Sequence, residues 1–120
     1  MARVLLVEDE VSVLILAESI VQGLGYQTLS AASMTEALNL FENVGPVSAL
    51  FTDIRLPEGD LAGLELAKKA RELNPSLKVL YTTGQTVTDG MKSMFVEGSH
   101  FLTKPYTVNE MTRAFKEVLA

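Results

Sequence analysis

Two hydrophobic periods alternate along this chain, and the alternation restricts the folds that it can adopt. Short continuous apolar runs, such as residues 3–7 and 47–52, are typical of strands that are buried on both faces. Apolar residues at helical spacing follow, for example Val13, Ala17 and Leu24 after the first run. The alternation occurs five times, so the sequence predicts five βα units.

Five βα units determine most of the topology. Strands that are joined by helices pair in parallel, and their crossovers are right-handed. The second strand, within residues 26–31, mixes polar and apolar residues and belongs at an edge, whereas the apolar runs belong in the middle. We predict one α/β domain over residues 1–120, a doubly wound flavodoxin-like (βα)5 sandwich with a parallel five-stranded sheet of order 2-1-3-4-5.

Local signals at the helix starts differ in strength. Ser33 with Glu36, and Thr107 with Glu110, have the spacing of capping boxes and predict the beginnings of the second and fifth helices. The fourth helix, from residue 86 to residue 97, is predicted to be poor because it contains threonine, valine and glycine.

Charge and composition exclude several classes of protein. Fifteen acidic residues against ten basic residues give a net charge of −5, whereas direct binding of nucleic acid needs a basic surface. The absence of cysteine excludes disulfides and thiolate metal sites, and the single histidine, His100, excludes a His-rich zinc site. No stretch approaches the roughly 18 apolar residues of a membrane span. We expect a cytoplasmic protein that binds neither nucleic acid nor membrane.

Conspicuous polar residues stand where the predicted strands end. Glu8 and Asp9 follow the first strand, Asp53 the third, Thr83 the fourth and Lys104 the fifth. The carboxyl ends of parallel strands lie along one edge of the sheet, and ligands bind there, beside the point where the strand order reverses. These side chains should therefore converge in one cleft.

The predicted cluster indicates a particular chemistry. Three carboxylates in one cleft repel each other unless a cation joins them, and oxygen-only ligands suit Mg²⁺ better than zinc. A carboxylate beside such an ion can act as a nucleophile and form an acyl phosphate. A lysine and a hydroxyl would spread the charge of the transferring group. Asp53, on the central strand, is in the natural position to attack.

Four segments resemble the motifs of bacterial two-component response-regulator receiver domains, the chemotaxis-regulator-like superfamily. They are Glu8-Asp9, residues 51–57, Thr83-Gly84 and residues 103–106, and their order and spacing match over essentially the whole chain. The resemblance implies a phosphorelay switch and not a turnover enzyme. A histidine kinase or histidine phosphotransfer protein would phosphorylate Asp53 with the help of Mg²⁺, and the modified domain would dephosphorylate itself slowly.

The same resemblance implies a role for each residue of the cluster. Asp9 would bind Mg²⁺ directly together with Asp53, and Glu8, which replaces the more common aspartate, would bind through a water. The backbone carbonyl of Arg55 would be another ligand. Lys104 would pair with a phosphoryl oxygen, and Thr83 would move to donate a hydrogen bond to the phosphoryl group.

Further implications concern the output of the switch. Phe101 occupies the position of an aromatic switch residue, and the Lys104–Pro105 peptide bond would be cis. A downstream protein would bind the surface formed by the fourth helix, the fifth strand and the fifth helix.

Other functions match parts of this pattern. A haloacid-dehalogenase-type phosphatase also attacks with a strand-end aspartate, but it needs a second aspartate where this chain has Arg55. A flavodoxin-like flavin carrier needs a phosphate loop where Glu8 and Asp9 stand, and the P-loop signature of nucleotide hydrolases is missing. A receiver that only docks partners, without phosphate, stays open. So does the choice between a stand-alone receiver and part of a larger regulator or hybrid kinase.

Overall fold

A computed structural model of the chain describes residues 2–120, in which five strands and five helices alternate. The strands are β1 (Arg3–Val7), β2 (Gln27–Ala31), β3 (Ala49–Asp53), β4 (Lys78–Thr83) and β5 (His100–Thr103). The helices are α1 (Val11–Gly23), α2 (Met34–Asn43), α3 (Ala62–Leu73), α4 (Asp89–Lys92) and α5 (Val108–Leu119). The strands form one parallel sheet of order β2-β1-β3-β4-β5, so the predicted fold class is confirmed.

Helices cover both faces of the sheet, and alternate residues of its central strands enter two separate cores. Leu5 and Leu50 pack toward α2 and α3, whereas Leu6 and Phe51 pack toward α1 and α5. Phe51 contacts Phe115 of α5 with ring centroids 5.1 Å apart. Burial on both faces explains the continuous apolar runs of these strands. None of the helices within residues 2–120 is long and apolar enough to span a bilayer.

The two predicted capping boxes fold differently. At α5 the box is complete, because the Thr107 hydroxyl accepts a hydrogen bond from the Glu110 N–H and the Glu110 carboxylate accepts one from the Thr107 N–H. At α2 the Ser33 hydroxyl accepts from the Glu36 N–H, but the Glu36 carboxylate accepts from the N–H of Ala32. The start of α2 was thus predicted correctly, although its reciprocal bond is displaced by one residue.

The fourth helix is much shorter than the predicted span of residues 86–97. Only Asp89–Lys92 is helical, with the Thr88 hydroxyl accepting from the N–H of Met91. Beyond it, Met94 and Phe95 donate to carbonyl groups three residues back, which is the bonding of tight turns. Low helix propensity leaves this segment to end after about one turn. The prediction of a poor helix was right in kind and wrong in extent.

A close approach between α3 and the end of β3 requires glycine at residue 63. A Cβ atom there would collide with the carbonyl oxygen of Asp53 and lie 2.8 Å from the Cα of Ile54. The N–H of Gly63 also donates to the Ile54 carbonyl at 2.8 Å. This glycine therefore fixes α3 against the backbone that carries Asp53.

We expect Gly63→Ala to lower the free energy of unfolding by about 3 kcal/mol, because the added methyl group must push backbone away from backbone. Gly59→Ala is the matched control in the same segment, since a Cβ there meets nothing within 4 Å. The control should change stability by less than about 1 kcal/mol. Urea denaturation measures both variants, and equal effects would show that the close approach is unimportant.

Candidate functional site

Three carboxylates meet at the carboxyl edge of the sheet. Glu8, Asp9 and Asp53 each offer an oxygen within 4.8 Å of the others. Strand register explains the meeting, because Val7 pairs with Thr52 and the chains therefore emerge side by side where the strand order reverses. Glu8 is 1% exposed and Asp53 is 7% exposed, whereas Asp9 is open to solvent. The predicted convergence of these residues is present.

Lys104 bridges two of the carboxylates. Its Nζ atom lies 2.9 Å from Oε1 of Glu8 and 3.1 Å from Oδ2 of Asp53. Its backbone N–H donates to the carbonyl of Thr83 at 2.8 Å, which ties the end of β5 to the end of β4. The peptide bond to Pro105 is cis, as the resemblance implied. The fifth strand thus delivers an ammonium group directly to the acidic cluster.

Burial and charge together perturb the titration of this pair. Burial is the main cause that raises the pKa of Glu8 to about 7, the hydrogen bond with Asp53 adds to it, and Lys104 opposes it. Burial alone would lower the pKa of Lys104, but its hydrogen bonds to Glu8 and Asp53 outweigh burial and raise the pKa. One ammonium therefore does not compensate the carboxylates fully, and the cleft is suited to a further cation.

The raised pKa of Glu8 predicts a pH dependence of the metal-free protein. A carboxyl group that binds its proton more tightly in the folded state stabilises the fold below pH 4.5, and this contribution is lost as the pH rises through about 7. The full shift corresponds to about 3 kcal/mol at most. Glu8→Gln mimics the protonated group, so its stability relative to wild type should grow between pH 4.5 and 8. Urea denaturation in EDTA tests this, and a constant difference would contradict the assignment.

Thr83 and two longer side chains complete the cleft, whose volume is about 320 Å³. Thr83 is buried, and its hydroxyl accepts a hydrogen bond from the N–H of Gln85 at 3.0 Å. Arg55 forms an exposed ion pair with Asp60 at 3.2 Å, and the amide oxygen of Gln85, in its favourable orientation, accepts from Arg55 Nε at 3.2 Å. Arg55 and Gln85 thus stand together at the rim.

One acidic residue of the cleft was not predicted from the sequence. Glu10 lines it, and its Oε1 lies 3.9 Å from Nζ of Lys104. The signal was present, because Glu10 continues the acidic run of Glu8 and Asp9. Glu10 does not end the first strand, however, but stands directly before α1.

Phe101 points outward in this structure. It is 42% exposed, and its ring packs edge-on against Phe95, with centroids 5.7 Å apart. Phe95 in turn packs on Tyr81, whose hydroxyl accepts a hydrogen bond from the Val96 N–H. The aromatic row joins β5 to the segment after α4. The switching role of Phe101 stays a prediction.

The oxygen donors of the cleft agree with the coordination chemistry of magnesium. The side chains that meet within 4.8 Å offer carboxylate oxygen alone, which is what hard divalent cations prefer. Among residues 2–120, no backbone N–H donates to the carbonyl oxygen of Arg55, so this oxygen has a free lone pair. Two of the three carboxylates are buried, and their charge favours a cation. The residues present fit Mg²⁺.

Comparison with known proteins settles the family. The model of the family described as "Response regulator receiver domain" matches residues 4–116. The chain belongs to this family. The receiver domain also resembles solved structures over its whole length. It matches the non-phosphorylated HemR receiver domain of Leptospira biflexa with a TM-score of 0.87 and 26% identity, covering 100% of this chain and 95% of that one.

Curated relatives include short and long proteins. The response regulator receiver protein CpdR of Brucella abortus is 29% identical, over 99% of this chain and 98% of its own length. The sensor kinase CckA of the same organism is 32% identical over 98% of this chain, which spans only 12% of that protein. The transcriptional regulatory protein TrcR of Mycobacterium tuberculosis is 30% identical over 98% of this chain, which spans 45% of that protein's length. The domain serves two-component phosphorelay signalling, and it occurs both alone and inside longer proteins.

Proposed function

We propose that this receiver domain accepts a phosphoryl group on Asp53 with the help of Mg²⁺ and so changes a protein-binding surface. The observation that carries the proposal is the Lys104 ammonium, 3.1 Å from Asp53 within the acidic cluster. The nucleophilic carboxylate thus lies beside a cation that can stabilise the negative charge of the transferring phosphoryl group. The donor would be a phosphohistidine on a histidine kinase or a histidine phosphotransfer protein.

Four oxygen donors would hold the magnesium ion. The carboxylates of Asp9 and Asp53 and the carbonyl of Arg55 would bind it directly, and Glu8 would bind through a water. When bound, Mg²⁺ neutralises the charge that develops on the phosphoryl oxygens. Deprotonation of Glu8, whose pKa is about 7, would accompany binding at neutral pH.

Asp53 and Lys104 would carry out the chemical step in the cleft, with Mg²⁺ bound and a phosphohistidine as the donor. A carboxylate oxygen of Asp53 forms a bond to phosphorus while the bond from phosphorus to the donor imidazole nitrogen breaks. The imidazole leaves with the electron pair, and Lys104 exchanges its bond to Asp53 for one to a phosphoryl oxygen. The product is an aspartyl phosphate that carries more negative charge than the carboxylate did.

The added charge would then move Thr83. Its hydroxyl, now bonded to the N–H of Gln85, would turn to donate to the phosphoryl group. Phe101 would follow inward and change the surface of α4, β5 and α5, which a downstream protein would bind. Attack of water on phosphorus would restore Asp53, and Arg55 and Gln85 at the rim would control the access of that water.

A relative of similar length supports phosphoryl transfer as the activity. The sporulation initiation phosphotransferase F of Bacillus subtilis is 28% identical to this chain and is covered over 93% of its length. In the phosphatase alternative a second aspartate would stand where this chain has Arg55, whose side chain instead pairs with Asp60. A net charge of −5 disfavours binding to nucleic acid and to anionic membranes. The domain would act through protein contacts, and we propose a cytoplasmic location.

The proposal is tested with acetyl phosphate as the donor and intact-protein mass spectrometry as the readout. We expect one phosphoryl group per chain with Mg²⁺ present and none when EDTA removes the ion. The phosphatase alternative predicts instead steady multiple turnover of a generic phosphoester such as p-nitrophenyl phosphate. Labelling that persists in the presence of EDTA, or rapid turnover of that ester, would contradict the proposed function.

A further inference from the structure

A long-range contact joins the segment after Asp53 to the start of α2. Oε1 of Glu58 accepts a hydrogen bond from the N–H of Met34 at 3.0 Å. Oε2 accepts from both the N–H and the hydroxyl of Thr35, each at 3.0 Å. Three donors at the first turn of α2 therefore converge on a carboxylate that lies more than twenty residues away in sequence.

The contact is favourable on electrostatic grounds. The N–H groups of the first helical turn have no partners within the helix, and the positive end of the helix dipole attracts an anion. The hydrogen bond from the Thr35 N–H is the main cause that holds the pKa of Glu58 down at about 2. Glu58 is thus ionised at all physiological pH values and bonds α2 continuously.

Glu58 stands at the tip of a tight turn. Leu56 and Gly59 exchange two backbone hydrogen bonds, of 3.1 Å and 2.9 Å, so Pro57 and Glu58 form the tip. On the other side of Arg55, the N–H of Ile54 donates to Thr82 and its carbonyl accepts from Gly63. The Arg55 peptide is therefore held between Ile54, which is fixed by backbone hydrogen bonds, and a turn whose tip is bonded to α2.

We propose that Glu58 is a positioning residue, which holds the turn against α2 so that the carbonyl oxygen of Arg55 stays directed at the magnesium site. This inference rests on the proposed function, because it concerns the ion that Asp9 and Asp53 would bind. Glu58 would not contact the ion. It would act through the backbone of Leu56 and Pro57, which lie between it and Arg55. Loss of the tether would let the turn sample orientations in which the carbonyl ligand is misplaced.

The test is an MgCl2 titration of the metal-free protein, followed through amide NMR signals. Glu58→Ala should raise the Kd for Mg²⁺ by roughly three- to tenfold, less than is typical for residues that bond directly to a metal ligand. Ser33→Ala is the matched control, because it removes a cap of the same helix, the bond from Glu36 N–H to Ser33 Oγ, but leaves the turn tied. Both variants should lower the urea midpoint, and only Glu58→Ala should weaken Mg²⁺ binding.

A second variant separates the tether from the charge of Glu58. Glu58→Gln removes the charge but keeps a carbonyl oxygen that can accept from α2, so its Kd should lie between those of wild type and Glu58→Ala. A Kd equal to that of Glu58→Ala would assign the effect to charge and overturn the inference. An unchanged Kd in Glu58→Ala would overturn it as well. If the wild-type protein itself binds no Mg²⁺, the proposed function fails and not merely the role of Glu58.

Discussion

Asp53→Asn is expected to reduce phosphoryl labelling by acetyl phosphate to background. An amide has no anionic oxygen to attack phosphorus, while its size and shape match those of the carboxyl group. The amide oxygen of the variant can still accept a hydrogen bond from Lys104, as the Asp53 carboxylate does at 3.1 Å. The fold should therefore persist, and removal of one of several crowded negative charges should leave stability unchanged or higher in the absence of metal.

A neighbouring acid provides the control for this variant. Asp60 lies seven residues further along the chain and is exposed, and among residues 2–120 its ion-pair partner is Arg55 at the surface. Asp60→Asn should keep its labelling within about twofold of wild type, as expected for loss of a surface ion pair. Intact mass and thermal unfolding are measured on both variants. Full labelling of a folded Asp53→Asn protein would show that another residue accepts the phosphoryl group.

Lys104→Met is expected to slow labelling about a hundredfold without abolishing it, the scale on which a single electrostatic stabiliser of a transition state acts. Methionine retains most of the aliphatic stem, so the packing against the cleft is preserved while the charge is lost. Some labelling should survive because Asp53 and the metal ligands remain. Labelling should then no longer change the surface of α4, β5 and α5, because no ammonium would draw the phosphoryl group toward β5.

The same variant should be less stable without metal. Loss of the ammonium leaves Glu8, which is buried, beside Asp53 with no compensating charge, and removal of one partner of a buried pair costs about 3 kcal/mol. Saturating Mg²⁺ should restore most of this loss. Lys69→Met, at an exposed pair with Glu65, should change neither property. A Lys104→Met protein with normal labelling rate and stability would show that the bridge is incidental.

The fold could be predicted from sequence because each element reports its own surroundings. β1 and β3 contain uninterrupted apolar runs, residues 4–7 and 49–51, because they are buried on both faces, and β2 is mixed because it lies at the edge. That information is local, and the strand order known for flavodoxin-like sheets fits it best. The prediction was wrong where marginal propensity decides, as in α4, which ends at Lys92.

The cleft could be predicted in outline because the carboxyl ends of parallel strands lie along one edge of the sheet. The hydrogen bonds inside the cleft could not be predicted. The bridge from Lys104 to Glu8 joins residues 96 positions apart, and the bond from Glu58 to α2 depends on the path of one turn. No periodicity records such contacts, because they depend on side-chain direction and on which donor is nearest. The sequence therefore gives no sign of the contact that Glu58 makes with α2.

The most direct test of the central claim is a crystal structure with Mg²⁺ and beryllofluoride, a mimic of the phosphoryl group. We predict beryllium bonded to a carboxylate oxygen of Asp53, with Mg²⁺ bound by Asp9, Asp53 and the carbonyl of Arg55. Lys104 should exchange its bond to Asp53 for a contact with a fluoride, and the Thr83 hydroxyl should also contact a fluoride. Beryllofluoride bound away from Asp53, or an ion that contacts neither Asp9 nor Asp53, would contradict the account.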